Sequence, residues 1–328
     1  MTVPLRSADL DALYRDVPAV VCGGSGFIGA WVVRALVARG ARVHVVVRDA
    51  ARAQAALPNP SRQVGLRVAD LARPGEATRA LDALQPAVVF NLAGYGVDRA
   101  ERDPAIMTAL NDRLVLELAT CQAPRATGQW SGMHLLHVGS ALEYGPIRGR
   151  LHESSTPRPT TDYGRSKLAG TRHIVRSSER EGTRALVARL FTVYGPGEHP
   201  GRLLPSLQAA TASGGAVPLS PGRQRRDFTY VEDVAEGLVR LAVSGVRPGE
   251  VVNLASGRLT SVREFAETAA SVLGLGAQSL QFGALPERPD EMWHDEVDVA
   301  RLRELTGWVP ETPIREGIRR AWEFEHVA

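Results

Sequence analysis

Lysine is almost missing from this chain of 328 residues: of 39 basic residues, 38 are arginine, and Lys167 is the sole lysine. Cysteine is scarce too, with Cys22 and Cys121 alone, which excludes a disulfide-stapled framework. No apolar run is long enough for a membrane span, and no apolar signal segment is recognisable near Met1. These absences give a cytoplasmic, non-membrane protein as the expectation. Excess charge is lacking as well: the formal net charge is +3, and the basic stretches GRQRR (222–226) and IREGIRR (314–320) are too short for a nucleic-acid footprint. No nucleic-acid partner is expected. Cys22 ends an apolar run and reads as a packed core thiol.

What is present is a repeating alternation. Apolar strands are expected at 19–22, 43–47, 66–68, 87–92, 134–139 and 185–190, separated by helical patterns such as FIGAWVVRALVAR, which stops before Gly40, and MTALNDRLVLELATCQ. Before them a polar leader carries a short helix around Ala8–Arg15. Val/Leu runs flanked by helices describe a parallel sheet buried on both faces, hence a doubly wound α/β fold of Rossmann type. After residue 193 the rhythm breaks, and two later segments, 227–243 and 251–256, return to it. The expected organisation is a dinucleotide-binding domain of residues 1–193 plus 227–256, and a smaller lobe of 194–226 plus 257–328.

The first strand runs into GGSGFIG, residues 23–29, which opens an amphipathic helix. A glycine-rich turn in that context lets the backbone approach a pyrophosphate at a helix N-terminus. Gly23, Ser25, Gly26, Phe27, Ile28 and Gly29 are the expected contacts. The second strand ends VHVVVRDAAR, so Arg48 and Arg52 are candidates to clamp a 2′-phosphate, favouring NADP(H) over NAD(H). The alternative gives Asp49 the ribose hydroxyl and leaves both arginines solvated. Asp70 with Leu71 after the third strand, and Leu92, Ala93 and Gly94 in NLAG, would line the rest of the cofactor.

Tyr163 and Lys167 in DYGRSKLAG stand four residues apart, on one face of a predicted helix. An ammonium beside a phenol lowers its pKa from about 10 toward neutrality and makes it a usable proton donor or base. Lysine, a point charge with three rotatable donors, also suits the nicotinamide ribose, a task unsuited to the planar guanidinium fork. Upstream, HLLHVG leads into SALEYG, which puts Ser140 at a strand's carboxyl edge, where open α/β sheets bind ligands.

In this order and spacing, GGSGFIG, NLAG, VGSALEYG, Tyr163-x-x-x-Lys167, RLFTVYGPG and RRDFTYVEDVA resemble the extended short-chain dehydrogenase/reductase family, in its nucleotide-sugar epimerase, dehydratase and 4-ketoreductase branch. The resemblance implies a Ser140–Tyr163–Lys167 triad, Asn111 behind the active site, and a homodimer built through a four-helix bundle. It further implies that Arg226 and Arg288 hold the diphosphate of a nucleotide-diphosphate sugar. Asp290 or Glu291 would reach the nucleotide ribose, residues 203–205 around Leu204 would wrap the base, and Tyr95 and Thr192 would shape the sugar pocket. Dehydratases of this branch carry acids where Ala141 and Leu142 stand, and water elimination needs an acid and a base at that bond. Glu143 is expected to make a structural hydrogen bond. An NADPH-dependent 4-ketoreductase follows, with an NAD-dependent 4-epimerase as the alternative. A reductase of a flavonol-like ketone fits Arg226 and Arg288 poorly, and a non-catalytic NADP sensor fits the intact triad poorly. His294, Asp295, Glu296 and Asp298 match no metal-ligand spacing, and no metal is expected.

Overall fold

The computed structural model describes residues 7–57, 64–98, 101–122, 130–287 and 291–326. Seven strands form a parallel sheet: β1 (Pro18–Cys22), β2 (Arg42–Val47), β3 (Val64–Val68), β4 (Val88–Asn91), β5 (Leu135–Ser140), β6 (Ala185–Leu190) and β7 (Val251–Leu254). Their spatial order is β7-β6-β5-β4-β1-β2-β3. The order reverses between β1 and β4, and the crevice beyond their carboxyl ends is where a doubly wound sheet receives its ligand. Successive side chains of a strand point to opposite faces: Val21 belongs to one apolar cluster and Val20 to the other. Both faces are covered, which is why the strands read as largely apolar runs.

The helices of the sheet region are α1 (Ser7–Tyr14), α2 (Phe27–Ala38), α3 (Ala50–Ala56), α4 (Glu76–Leu84), α5 (Pro104–Thr108), α6 (Leu114–Gln122) and α7 (Asp162–Glu181). Helix α7 has clear stop signals at both ends. Thr161 Oγ1 accepts from the Gly164 amide at 3.0 Å, and Gly182 closes the other end at φ +69°. That start fixes Tyr163 in the first turn and Lys167 one turn later. The expected single helix over 107–122 is interrupted: residues Ala109–Arg113 form a π turn between α5 and α6. The cause is Asn111, fully buried and committed to the backbone of a neighbouring loop.

Beyond β6 the chain builds smaller sheets. Strands Thr192–Tyr194, Arg225–Tyr230 and Leu259–Ser261 make one, while Val217–Leu219 pairs with Leu280–Phe282. Of the two late segments that repeat the sheet rhythm, VVNL is edge strand β7 of the large sheet. The strand beginning the other, Arg225–Tyr230, pairs with Thr192–Tyr194 instead. Four more helices follow: α8 (Leu203–Ser213), α9 (Val231–Ala242), α10 (Val262–Leu273) and α11 (Ala300–Thr306), and α12 (Ile314–His326) closes the series. Phe228 and Phe265 stack at 4.1 Å between centroids, with Tyr194 edge-on to both. No helix among the described residues is long and apolar enough to cross a membrane.

Candidate active site

The glycine loop is built for close backbone approach. Gly23 sits at φ +76°, and a Cβ there would lie 2.7 Å from the Ala93 nitrogen. A Cβ on Gly29 would lie 2.1 Å from the Gly23 carbonyl oxygen. Side chains at either position would push the loop open. Gly26 caps α2 without a side-chain hydrogen bond, and no acid occupies the first turn. The first amides of α2 are thus left for an anion, and the loop residues fit a dinucleotide pyrophosphate. Ser25, Phe27 and Ile28 are each half-buried around that turn.

Arg48 follows β2 directly and is exposed. Asp49 accepts from the Ala51 amide at 2.9 Å, a local turn bond at the start of α3. Arg52 lies in α3, and its side chain is outside the described residues. Asp70 accepts from the Ala72 amide at 3.2 Å, and Leu71 is buried. Leu92 and Ala93 are half-buried and Gly94 is exposed along the crevice. The next residue, Tyr95, is clamped by Asn111: the Tyr95 amide donates to Oδ1 at 3.0 Å, and Nδ2 donates to the Tyr95 carbonyl at 2.7 Å. Nδ2 also reaches Ser166 Oγ on α7 at 2.9 Å, so the π turn ties the Tyr95 loop to the helix carrying Tyr163 and Lys167.

Ser140, at the end of β5, and Tyr163, at the start of α7, bring their side chains together at the carboxyl edge of the sheet. Burial pushes the Tyr163 phenol above its ordinary value, and the Glu143 carboxylate adds to the rise; the Ser140 side chain and the Arg202 charge oppose it. The residue as a whole is half-buried. Lys167 is buried, and burial lowers its ammonium to about 8, opposed by Glu143. This corrects the expectation that Lys167 draws the phenol toward neutrality. Desolvation and the Glu143 carboxylate set the direction, and Tyr163 is held as a protonated phenol. Below the triad, His137 is fully buried, 3.1 Å from Asn91 Nδ2, and held neutral by burial first and then by the Lys167 and His173 charges.

A single 3-10 turn, Ala141–Glu143, follows Ser140. Ala141 and Leu142 are apolar, and both pack against the cluster around Tyr144. Glu143 is wholly buried, with one oxygen accepting from the Ser140 amide at 2.7 Å. The other accepts from Thr171 Oγ1 at 2.9 Å and Arg189 Nε at 3.0 Å. The guanidinium of Arg189 lies over the Tyr144 ring at 4.5 Å, and Tyr144 donates to Asn253 Oδ1 at 2.6 Å. Thr171 and Arg189 escaped the sequence reading. The available signal was Arg189 itself, a charge inside the apolar strand ALVARL.

On the substrate side, Arg226 pairs with Glu291 and donates to the Met292 carbonyl at 2.7 Å. Both residues are thus together but engaged with each other. Arg288 and Asp290 lie outside the described residues. Thr192 is half-buried at the start of its strand. Leu204, expected against a base, is 1% exposed and packs in the main core, because α8 turns that face inward. His294 is buried, and burial next to Arg226 lowers it to about 4.

Glu198, in the loop after RLFTVYG, is buried, and desolvation raises its carboxyl to about 7 despite Arg202 Nε at 3.2 Å. A raised acid keeps its proton in the folded chain where the unfolded chain has released it, so its contribution to stability falls as pH rises from 4.5 to about 7. Glu198→Gln removes that dependence. In thermal melts the variant is expected to gain on the wild type between pH 4.5 and 8, and a pH-independent difference would contradict the assignment.

Comparisons with known proteins agree with this architecture. The profile of the NAD dependent epimerase/dehydratase family matches residues 19–255. The chain is 30% identical over 319 residues to the dTDP-6-deoxy-L-talose 4-dehydrogenase (NAD(P)(+)) of Kitasatospora kifunensis, covering 94% of this chain and 95% of that protein. It is 32% identical to the GDP-6-deoxy-D-mannose reductase of Pseudomonas aeruginosa, over 71% of this chain and 78% of the relative. Among solved structures, the UDP-glucose 4-epimerase of Thermus thermophilus in complex with NAD superposes with a TM-score of 0.81 at 25% identity, covering 94% of this chain and 99% of that one. With the matched profile, the Rossmann-type sheet and the glycine loop in agreement, this chain belongs to the NAD dependent epimerase/dehydratase family, as an enzyme of the extended short-chain dehydrogenase/reductase type.

Proposed function

We propose that the protein is a nucleotide-sugar 4-ketoreductase, reducing the C4 ketone of an NDP-4-keto-6-deoxyhexose with NADPH. One observation carries the reading. Beside the facing Ser140 and Tyr163 side chains stand apolar Ala141 and Leu142, while the carboxylate of that turn, Glu143, has both oxygens committed to internal partners. The site has one proton donor and no second acid or base in that turn for dehydration. The relatives named for 4-dehydrogenase and reductase activities support the same assignment.

The reduced nicotinamide supplies the hydride when bound. Ser140 and Tyr163 hold the substrate's C4 oxygen, and Tyr163 gives its proton to that oxygen as negative charge develops. The buried ammonium of Lys167, one turn along α7, stabilises the phenolate left behind. Gly23–Gly29 carry the pyrophosphate, with Asp70, Leu71, Leu92, Ala93 and Gly94 along the rest of the cofactor. Arg48, with Arg52, receives the 2′-phosphate, a role favoured by the engagement of Asp49 with its own turn. The lobe of residues 194–226 plus 257–328 holds the diphosphate through Arg226 and Arg288, with Tyr95, Thr192 and Glu291 on the sugar and ribose. Exposed Leu116 on α6 suits pairing with a second copy of the chain in a homodimer.

Loss of near-ultraviolet nicotinamide absorbance, followed with NADPH or NADH and an NDP-4-keto-6-deoxyhexose, tests the reading. NADPH is expected to be the better donor, and Arg48→Ala is expected to raise its KM about tenfold or more while leaving the KM for NADH unchanged. Consumption of neither cofactor rejects the reading. The second reading, an NAD-dependent 4-epimerase, is favoured by the structural likeness to an epimerase holding NAD. It requires NAD⁺ to be released when the purified protein is denatured.

A further inference from the structure

The residues of the triad stand on two separate elements, Ser140 on β5 and Tyr163 with Lys167 on α7. Their hydroxyl pair works only if the strand end and the helix keep a fixed spacing. A wholly buried side chain joins them. Glu143 Oε1 accepts from the Ser140 amide at 2.7 Å, and Ser140 Oγ accepts from the Leu142 amide at 3.2 Å, which closes a reciprocal cap around the turn. Glu143 Oε2 accepts from Thr171 at 2.9 Å, and Thr171 stands one turn beyond Lys167 on α7. Arg189 on β6 completes the carboxylate at 3.0 Å from within the sheet. The space was cleared for it: a Cβ on Gly139 would lie 2.6 Å from Glu143 Oε1.

We propose that Glu143 is a positioning residue for the reductive step, its carboxylate bracing the Ser140 end of β5 against the helix that carries Tyr163 and Lys167. This rests on the ketoreductase reading above, and it assigns the spacing of the hydroxyl pair to a buried carboxylate rather than to the triad itself. Arg189 completes the hydrogen bonding of that carboxylate inside the sheet, where removing the partner would be costly. Misplacement of a proton donor by about 1 Å costs on the order of 10²-fold in rate, so a brace has catalytic consequences without any contact to substrate.

Thr171 provides the cleanest test, because Thr171→Val keeps the shape and deletes only the hydroxyl donated to Glu143, while Thr171→Ser returns it. With NADPH and the keto-sugar nucleotide, Thr171→Val is expected to lose about tenfold in kcat with both KM values within about twofold, and Thr171→Ser is expected to recover most of the loss. Crystal structures of the wild type and both variants supply a readout that needs no turnover. The separation of the Ser140 and Tyr163 hydroxyls is expected to increase from wild type in Thr171→Val and to return in Thr171→Ser. Wild-type kcat in Thr171→Val overturns the brace. So does a loss that appears equally in KM, or a hydroxyl pair unmoved in the variant crystal. If the wild-type protein reduces no keto-sugar yet the variant crystal shows the pair displaced, the brace stands and the functional reading fails.

Discussion

Replacing Tyr163 with Phe is expected to lower kcat by about 10²–10⁴-fold while leaving NADPH affinity within a few-fold. The change removes one oxygen, the phenol atom that faces Ser140, and leaves the ring in place. Without that oxygen, no group in the turn after Ser140 replaces the lost proton donor: Ala141 and Leu142 are apolar, and Glu143 is bonded inward. Stopped-flow turnover together with fluorescence titration of NADPH separates the two effects. A variant retaining a tenth or more of the wild-type rate would remove Tyr163 from the chemistry. Because burial and Glu143 hold the phenol above its ordinary pKa, the wild type is expected to keep its proton donor charged with hydrogen throughout the neutral range.

The second large effect concerns stability. Glu143 and Arg189 are buried at 0% and 2% exposure, and removing one partner leaves an uncompensated charge in the sheet. Glu143→Leu is expected to cost about 3–5 kcal/mol in urea unfolding, whereas Glu143→Leu with Arg189→Met is expected to recover most of that loss. The non-additivity is the decisive quantity. A double-variant loss equal to the sum of the separate Glu143→Leu and Arg189→Met losses would show that the pair is not coupled.

The sequence carried the sheet well, for a physical reason. Strands buried on both faces are apolar at most positions, so VHVVV, AVVFNL and ALVARL announce themselves, and the observed bounds differ from the expected ones by at most two residues. The glycine loop was equally legible, since the close approach of Gly23 to Ala93 and of Gly29 to Gly23 leaves no room for other residues. The π turn was not. Residues 107–122 keep a helical apolar pattern throughout, and only the inward bonding of Asn111 to Tyr95 breaks the regular ladder. Non-local pairing was hidden in the same way. Glu143 meets Arg189 across 46 residues, and Arg226 meets Glu291 from another strand and loop. Neither pairing leaves a periodic trace. The protonation of Tyr163 was misjudged because four-residue spacing reports which groups share a helix face, while the pKa is set by burial and by a carboxylate on another element.

The lone lysine has its explanation in the same place. Lys167 is 4% exposed inside a helix, where burial brings its ammonium down to about 8 and a guanidinium would not fit the same chemistry.

Isotope tracing tests the central claim most directly. With NADPH deuterated at both C4 positions of the nicotinamide and an NDP-4-keto-6-deoxyhexose, the account predicts one deuterium at C4 of the product sugar and one NADP⁺ per turnover, read by NMR and mass spectrometry. Recovery of the keto-sugar with no deuterium at C4 and no oxidation of NADPH would contradict it.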